Sequence, residues 1–196
     1  MQENIWEDEK LIKILKENGV VIMPTDTIYG IVGKALEKDT VERIYNIKKR
    51  APEKPCIILI GDIKELQKFG IKITKKQGEI LKEYWSFDFT QDFQPGAISI
   101  VLDCKDDAFE YLHRGTKTLA FRIPAPQTLR NLLLKVGPLI APSANPEGFP
   151  PAKTTQEAEN YFKNLVDLYV DGETILNKHS KLIKLNKNGS IVVLRE

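Results

Sequence analysis

Short hydroxyl and amide side chains follow two apolar segments that lie far apart in the chain. The segment Val20 to Met23 leads into Pro24-Thr25-Asp26-Thr27, and Leu139 to Ala141 leads into Pro142-Ser143-Ala144-Asn145. In open α/β sheets, ligands bind beyond the carboxyl ends of the strands, where such side chains form hydrogen bonds and leave room for a ligand. The two loops are therefore predicted to be walls of one binding site, although the same residues are also common in simple turns.

A group of basic side chains ends the second predicted helix and follows it. Lys48 lies seven residues after Val41 and four after Ile44, on the helix face expected to pack inward. Such a lysine either complements the helix dipole and reaches water, or it meets a buried partner. Two prolines stiffen the next segment, so Lys48, Arg50 and Lys54 are predicted to form a rigid basic cluster that suits a phosphate chain. Neither Lys48 nor Arg50 is expected to be a core residue.

A third candidate is an arginine in a predicted strand. Leu119, Phe121 and Ile123 alternate onto one face, so Ala120 and Arg122 share the other, and the small alanine leaves space beside the guanidinium. Only six of the 29 basic residues are arginines. Arg122 is either an ordinary solvent-exposed residue or a planar group for bidentate binding of a carboxylate or phosphate.

Several familiar signals of other functions are missing. Two cysteines and two histidines allow no zinc spacing or disulfide framework, so no metal site is predicted and a reducing compartment is expected. The sequence contains neither a Gly-x-x-x-x-Gly-Lys-Ser/Thr loop nor a Gly-x-Gly-x-x-Gly motif after a strand, which argues against a P-loop ATPase and a Rossmann dehydrogenase. His113 and His179 have no carboxylate or serine constellation and are assigned structural or surface roles.

The elements that must position these residues alternate between strand-length apolar runs and helical stripes. This pattern predicts an α/β fold, a mixed sheet with flanking helices in a single domain covering residues 1–196. A first helix carries Leu11, Ile12 and Leu15, and a second begins at Asp39 or Thr40 as its cap. The other predicted helices cover residues 62–69, 74–85, 126–136 and 155–162. The predicted strands cover residues 20–23, 56–60, 97–102, 119–123, 139–141, 168–170, 182–185 and 191–194.

The composition agrees with a globular protein. In 196 residues, 42% are hydrophobic and 29% are charged, which rules out disordered, collagen-like and coiled-coil proteins. The net charge of +2 is too near balance to indicate a polyanionic partner by itself. The polar N-terminal segment and the lack of a long apolar run predict neither a signal peptide nor a membrane span, and so a cytosolic protein without a membrane partner.

Five motifs occur in an order that resembles a known family. They are Pro24-Thr25-Asp26-Thr27-Ile28-Tyr29-Gly30, Lys48-Lys49-Arg50, Phe93-Gln94-Pro95-Gly96, Arg122-Ile123-Pro124, and Ala141-Pro142-Ser143-Ala144-Asn145-Pro146 with Gly148 after it. Together they resemble the YrdC-like family, the L-threonylcarbamoyladenylate synthases that start the biosynthesis of N6-threonylcarbamoyladenosine in tRNA. The sequence departs from the family pattern at Ala51, Ser99 and Lys181, where the family usually has proline, threonine and threonine.

The resemblance implies a twisted mixed sheet around a concave basic cavity. It also implies a nucleotidyl transfer in which ATP with its Mg²⁺, L-threonine and bicarbonate give threonylcarbamoyl-AMP and pyrophosphate. Lys48 and Arg50 would be the catalytic residues that hold the triphosphate. The implied ATP-binding residues are Thr25, Lys48, Arg50, Pro142, Ser143, Asn145 and Arg195. The implied threonine and bicarbonate pocket comprises Thr27, Tyr29, Arg122 and Ser180.

This reaction suits the residue types present. A carbamate anion must attack the α-phosphate of ATP, which requires cations, in-line positioning and exclusion of water. No acid or base residue stands out, so positioning and electrostatics are expected to dominate. The further implied partners are RNA or tRNA and the enzymes that transfer the threonylcarbamoyl group.

Two alternatives remain at this point. The same basic cavity would serve a non-catalytic RNA-binding module, which would retain RNA in a salt-dependent way without turning over ATP. The other alternative is a related carbamoyl-transfer domain of the hydrogenase-maturation type. Those proteins carry zinc-binding cysteine pairs and further domains, and two isolated cysteines in this sequence argue against that type.

Overall fold

One mixed sheet organises the part of the chain that the structure describes. The structure is a computed structural model, and it describes residues 5–85, 97–176 and 179–196. The predicted turn motif Phe93-Gln94-Pro95-Gly96 lies outside the described residues. The described strands are β1 (Val21–Pro24), β2 (Tyr29–Lys34), β3 (Ile57–Leu59), β4 (Ile98–Asp103), β5 (Thr118–Arg122), β6 (Leu139–Ile140), β7 (Leu168–Tyr169), β8 (Lys181–Leu185) and β9 (Ile191–Arg195).

The strand order is β7-β1-β2-β6-β3-β5-β4-β8-β9. The pairs β1/β7, β3/β5 and β4/β8 are parallel, and the other neighbours are antiparallel. The described helices are α1 (Glu9–Lys16), α2 (Lys38–Lys48), α3 (Lys75–Tyr84), α4 (Glu110–His113), α5 (Gln127–Val136) and α6 (Thr155–Phe162), with 3₁₀ turns at Ile5–Glu7, Ile63–Phe69 and Asp107–Phe109. No helix in these ranges is long and apolar enough to cross a membrane.

Two hydrophobic cores cover the two faces of the sheet. Along β1, Ile22 belongs to one core, whereas Val21 and Met23 belong to the other, as the alternation of side chains in a strand requires. The first core is closed by α2, α3, α6 and the 3₁₀ turn Ile63–Phe69, and the second by α1 and α5. Each fully buried leucine or isoleucine in such a core contributes about 1.5–3 kcal/mol of burial free energy.

The second core covers only part of its face of the sheet. In β4, β5 and β8, Ile100, Phe121 and Ile183 join the first core. The opposite face of β5 carries Ala120 and Arg122. It contributes no residue to the second core and lines a cavity instead. One face of this half of the sheet is therefore open for a ligand.

The predicted fold class, a mixed α/β sheet with flanking helices, is confirmed. The strand β2 was not predicted, because its sequence Tyr-Gly-Ile-Val-Gly-Lys is almost entirely buried and shows no alternation of polar and apolar residues. The predicted cap of α2 was wrong: Glu37 is the N-cap, and the hydroxyl of Thr40 instead donates to the Asn18 carbonyl at 3.1 Å. The predicted helix 62–69 is a 3₁₀ helix.

Candidate active site

A cavity of about 390 Å³ lies on the open face of the sheet. The described residues with polar side chains that line it are Thr25, Thr27, Arg50, Cys56, Thr116, Thr118, Arg122, Ser143, His179, Ser180 and Arg195. The apolar part of the lining includes Val101, Ala120, Pro142, Leu182 and Leu194. Among the described residues, no acidic side chain lines this cavity, so its charged lining is entirely cationic.

One wall is the turn between β1 and β2. The Thr25 hydroxyl donates to the carbonyl oxygen of Ile28 at 2.8 Å, and the Thr25 amide donates to the same oxygen at 3.1 Å. The hydroxyl oxygens of Thr25 and Thr27 lie 3.2 Å apart. The turn is therefore held by the first threonine, and both threonines line the cavity.

The second wall follows β6 and is bonded directly to the first. The Ile31 amide donates to the Pro142 carbonyl at 3.0 Å, and the Ala144 amide donates to the Tyr29 carbonyl at 2.8 Å. Gly30 lies between the walls, where an added Cβ would stand 3.2 Å from Thr25 Cγ2 and 3.5 Å from the Pro142 oxygen. Glycine thus permits the close approach of the two loops, which the structure brings together in one site.

Two arginines line the cavity and donate mainly to backbone carbonyl oxygens. Arg50 donates from Nε to the Lys54 carbonyl and from Nη2 to the Pro55 carbonyl, each at 3.0 Å. Arg195, near the end of β9, donates from Nε and Nη2 to the carbonyl of Ser180 at 3.1 and 2.8 Å. Carbonyl oxygens carry no net charge, so these hydrogen bonds neutralise neither guanidinium, although Arg50 also interacts electrostatically with Glu147, which pairs with Lys54.

The third arginine in the cavity has a charged partner. Nη2 of Arg122 lies 2.9 Å from Oδ1 of Asp26, and the two side chains are only 5% and 3% exposed. Burial lowers the pKa of Arg122, and the charge of Asp26 opposes that shift. The strand alternation predicted for Ala120 and Arg122 is present, since both lie on the cavity face. The partnership with Asp26 was not predicted.

Lys48 does not belong to the cavity lining, although it is close to the second wall. Its side chain is almost fully buried, and its ammonium donates hydrogen bonds to the carbonyl oxygens of Ser143 and Asn145. Burial, and secondarily the charge of Arg50, lowers the pKa of Lys48 to about 8. The expectation that Lys48 lies outside the core was wrong, because α2 directs this side chain inward beneath the loop.

Two further predicted site residues point elsewhere. The Tyr29 hydroxyl accepts from the Gly172 amide and donates to the Glu173 carbonyl, both at 2.8 Å, on the side of β2 away from the cavity. The Asn145 side chain accepts from the Ser143 hydroxyl and donates to the Phe149 carbonyl at 2.7 Å. Neither residue lines the cavity, and their proposed ligand contacts stay predictions.

Ser180 and His179 complete the far end of the cavity. The Ser180 hydroxyl lies 2.8 Å from that of Ser99 and 3.3 Å from Nη2 of Arg195. His179 also lines the cavity and is an exposed residue, so the surface role predicted for it agrees with its position. Partial burial lowers its pKa, and Arg195 and Arg122 lower it further through their positive charges. One signal in the sequence could have indicated His179: it directly precedes Ser180, which the family resemblance places in the site.

The described residues offer no group of three or more His, Cys, Asp or Glu side chains placed to hold a metal ion. The donors that do converge are hydroxyl and guanidinium groups, which bind anions. The site is therefore built to receive a ligand with carboxylate or phosphate groups beside an apolar portion.

Comparison with known proteins finds relatives that share one name, threonylcarbamoyl-AMP synthase. The chain is 32% identical to the threonylcarbamoyl-AMP synthase of Bacillus subtilis, over 87% of this chain and 47% of the relative. It is 28% identical to the synthase of Pyrococcus abyssi, over 93% of this chain and 52% of that protein. It is also 28% identical to the synthase of Pseudomonas fluorescens, over 96% and 97% of the two chains. The chain thus spans about half the length of the first two relatives.

Solved structures share the fold. The crystal structure of P. abyssi Sua5 complexed with L-threonine matches with a TM-score of 0.83 and 25% identity, over 100% of this chain and 55% of that chain. E. coli YciO matches with a TM-score of 0.78 and 23% identity, over 100% and 90% of the two chains, which shows the fold alone. The Sua5/YciO/YrdC family model, described as telomere recombination, matches residues 13–196. The chain therefore belongs to the Sua5/YciO/YrdC family.

Proposed function

We propose that this chain is a threonylcarbamoyl-AMP synthase that uses ATP, L-threonine and bicarbonate. The observation that carries the proposal is the cavity, where three arginines and the hydroxyl groups of two facing loops converge. The curated relatives named above carry the same activity in their names. Mg²⁺ would enter with ATP as part of the substrate.

The proposed reaction has two parts. The amine of threonine captures bicarbonate with loss of water and forms a carbamate. A carbamate oxygen then attacks the α-phosphorus of ATP, the bond to the β-phosphate oxygen breaks, and pyrophosphate leaves. Both reactants are anionic, so the rate depends on cations that are already in place and on an enclosed site.

The positions of the side chains support a division of roles. Arg50 and Arg195 would bind the polyphosphate, because the oxygens to which they donate belong to uncharged carbonyl and hydroxyl groups. Thr25, Pro142 and Ser143 would line the nucleotide side. The threonine and bicarbonate would lie near Thr27, Arg122 and Ser180. Lys48 would act by holding the second wall, since its ammonium donates to that loop.

The biological role proposed with this activity is supply of the activated threonylcarbamoyl group for N6-threonylcarbamoyladenosine in tRNA. A downstream transfer enzyme and tRNA are its proposed partners. The predicted cytosolic location stays a prediction.

Mass spectrometry of the reaction products tests the proposal. The chain is incubated with ATP, Mg²⁺, ¹³C-bicarbonate and L-threonine, and each component is omitted in turn. We expect threonylcarbamoyl-AMP carrying the ¹³C label, with an equal amount of pyrophosphate, only in the complete mixture. Salt-dependent retention of RNA with no adenylate and no pyrophosphate would instead support the RNA-binding module.

A further inference from the structure

The three arginines of the cavity differ in what balances their charge. Arg50 and Arg195 donate to backbone carbonyl oxygens, and neither forms an ion pair with a carboxylate among the described residues. The acid that acts on Arg50 from a distance, Glu147, is itself paired with Lys54. Arg122 stands beside the carboxylate of Asp26, with Nη2 and Oδ1 2.9 Å apart. The Arg122–Asp26 pair is therefore close to neutral as a unit, although Arg122 lines the same cavity as the other two.

The Arg122–Asp26 pair is buried without a full set of hydrogen-bond partners among the described residues. Apart from Arg122, neither oxygen of Asp26 has a hydrogen-bond donor among the described residues. Nε of Arg122 is likewise buried without an acceptor among those residues. Burying two charges without completing their hydrogen bonds costs free energy that their attraction does not fully return. Stability alone therefore does not account for Asp26.

The electrostatics of the cavity gives a reason for a carboxylate beside Arg122. A polyphosphate carries several negative charges, so its binding follows the net charge that surrounds it. A single carboxylate carries one charge, so its binding depends more on the two parallel hydrogen bonds that a guanidinium donates than on the net charge around it. A neutralised Arg122 keeps those N–H groups, while the adjacent Asp26 charge disfavours phosphate at the same place.

We propose that Asp26 sorts the two anionic substrates within the cavity. It leaves the polyphosphate to Arg50 and Arg195 and reserves Arg122 for the carboxylate of the amino acid. Asp26 does not line the cavity, so it is a positioning and specificity residue that acts through Arg122. The assignment of the two ligands rests on the proposed function, whereas the effect of Asp26 on polyanion binding does not.

Calorimetric titration with tripolyphosphate and L-threonine tests this proposal without turnover. In the wild-type chain, saturating tripolyphosphate is expected to change L-threonine affinity by less than about twofold, because the two ligands use different arginines. In Asp26→Asn, Arg122 becomes an uncompensated cation. Tripolyphosphate should then bind about fivefold tighter or more and should displace L-threonine.

Two further variants serve as controls. Asp26→Glu keeps the charge and is expected to retain independent binding of the two ligands. Asp167→Asn removes a different ion-paired aspartate, the partner of Arg43 at 2.6 Å, and should alter neither titration. Thermal unfolding monitored by circular dichroism establishes which variants are folded. Asp26→Ser removes the same charge and replaces Asp26→Asn if the asparagine variant does not fold.

The outcomes separate this proposal from the proposed function. Displacement of L-threonine by tripolyphosphate from the wild-type chain overturns the sorting role. Unchanged tripolyphosphate affinity in folded Asp26→Asn overturns it as well, even if the wild-type chain is an active synthase. If the wild-type chain binds no L-threonine and forms no adenylate, the proposed function fails, and the tripolyphosphate comparison still decides the effect of Asp26.

Discussion

The buried ammonium of Lys48 is hydrogen-bonded to the carbonyl oxygen of Ser143, 95 residues later in the chain. Lys48 is the last residue of α2, and Ser143 belongs to the loop that forms the second wall of the cavity. The same ammonium donates to the Asn145 carbonyl. One lysine therefore fixes the position of a wall that it does not itself line.

Replacing Lys48 tests this role. Lys48→Met keeps a long side chain but leaves both carbonyl oxygens without their charged donor, so the loop should lose its position. We expect kcat/KM for ATP to fall by about tenfold or more, which corresponds to at least about 1.4 kcal/mol. Lys49→Met, at the exposed neighbouring position, is the matched control and should stay near the wild-type value. Equal values for the two variants would remove Lys48 from the site.

The stability of the chain should depend on pH through Lys48. Its pKa is lowered to about 8, chiefly by burial, whereas the pKa of an unfolded lysine is 10.5. Between these values the unfolded chain binds more protons, so this group makes the free energy of unfolding rise with pH, by up to about 1.4 kcal/mol per pH unit. Below pH 8 its destabilising effect is complete. Urea unfolding of wild-type chain and Lys48→Met from pH 7 to 10.5 measures this difference, and a pH-independent difference would contradict it.

Arg195 is predicted to act on ATP. Two of its nitrogens donate to the Ser180 carbonyl, which holds the guanidinium at the cavity. Arg195→Ala should raise the KM for ATP by about tenfold or more, and Arg195→Lys should recover only part of the loss, because lysine lacks the planar fork. Steady-state pyrophosphate release measures both. Lys181→Ala, which removes a neighbouring cation paired with Glu196, is the control. An unchanged KM in Arg195→Ala would exclude the arginine from ATP binding.

Filling the cavity should block the reaction. Ala120 lines the cavity beside Arg122, so Ala120→Leu places three extra carbon atoms where the ligand should lie. We expect adenylate formation to fall by about a hundredfold while the thermal transition changes little, because the added atoms enter open space. Ala125→Leu, at an exposed position outside the cavity lining, should remain active. Full activity of Ala120→Leu would place the reaction elsewhere.

The strand pattern and the loop residues predicted much of this arrangement. The alternation around Arg122 put its side chain on the same face as Ala120, and short polar residues after two apolar runs indicated the facing loops. Such signals are local, and they depend on the two-residue repeat of a strand or on the chemistry of a turn.

Other features depend on strand pairing and on contacts between distant residues, which a single sequence does not reveal. The hairpin register pairs Pro24 with Tyr29, and the tyrosine hydroxyl is hydrogen-bonded on the side of β2 away from the cavity. The contact between Asp26 and Arg122 joins a turn to a strand far along the chain. His179 reaches the cavity only because β8 pairs with β4. These relationships required the tertiary structure.

A crystal structure with L-threonine and a non-hydrolysable ATP analogue would show whether one cavity binds both substrates. We expect the polyphosphate within hydrogen-bond distance of Arg50 and Arg195, between the walls that carry Thr25 and Ser143. We expect the threonine carboxylate at Arg122. An analogue bound outside this cavity, or phosphates bound at Arg122 with Arg50 and Arg195 left free, would show that this arrangement of the substrates is wrong.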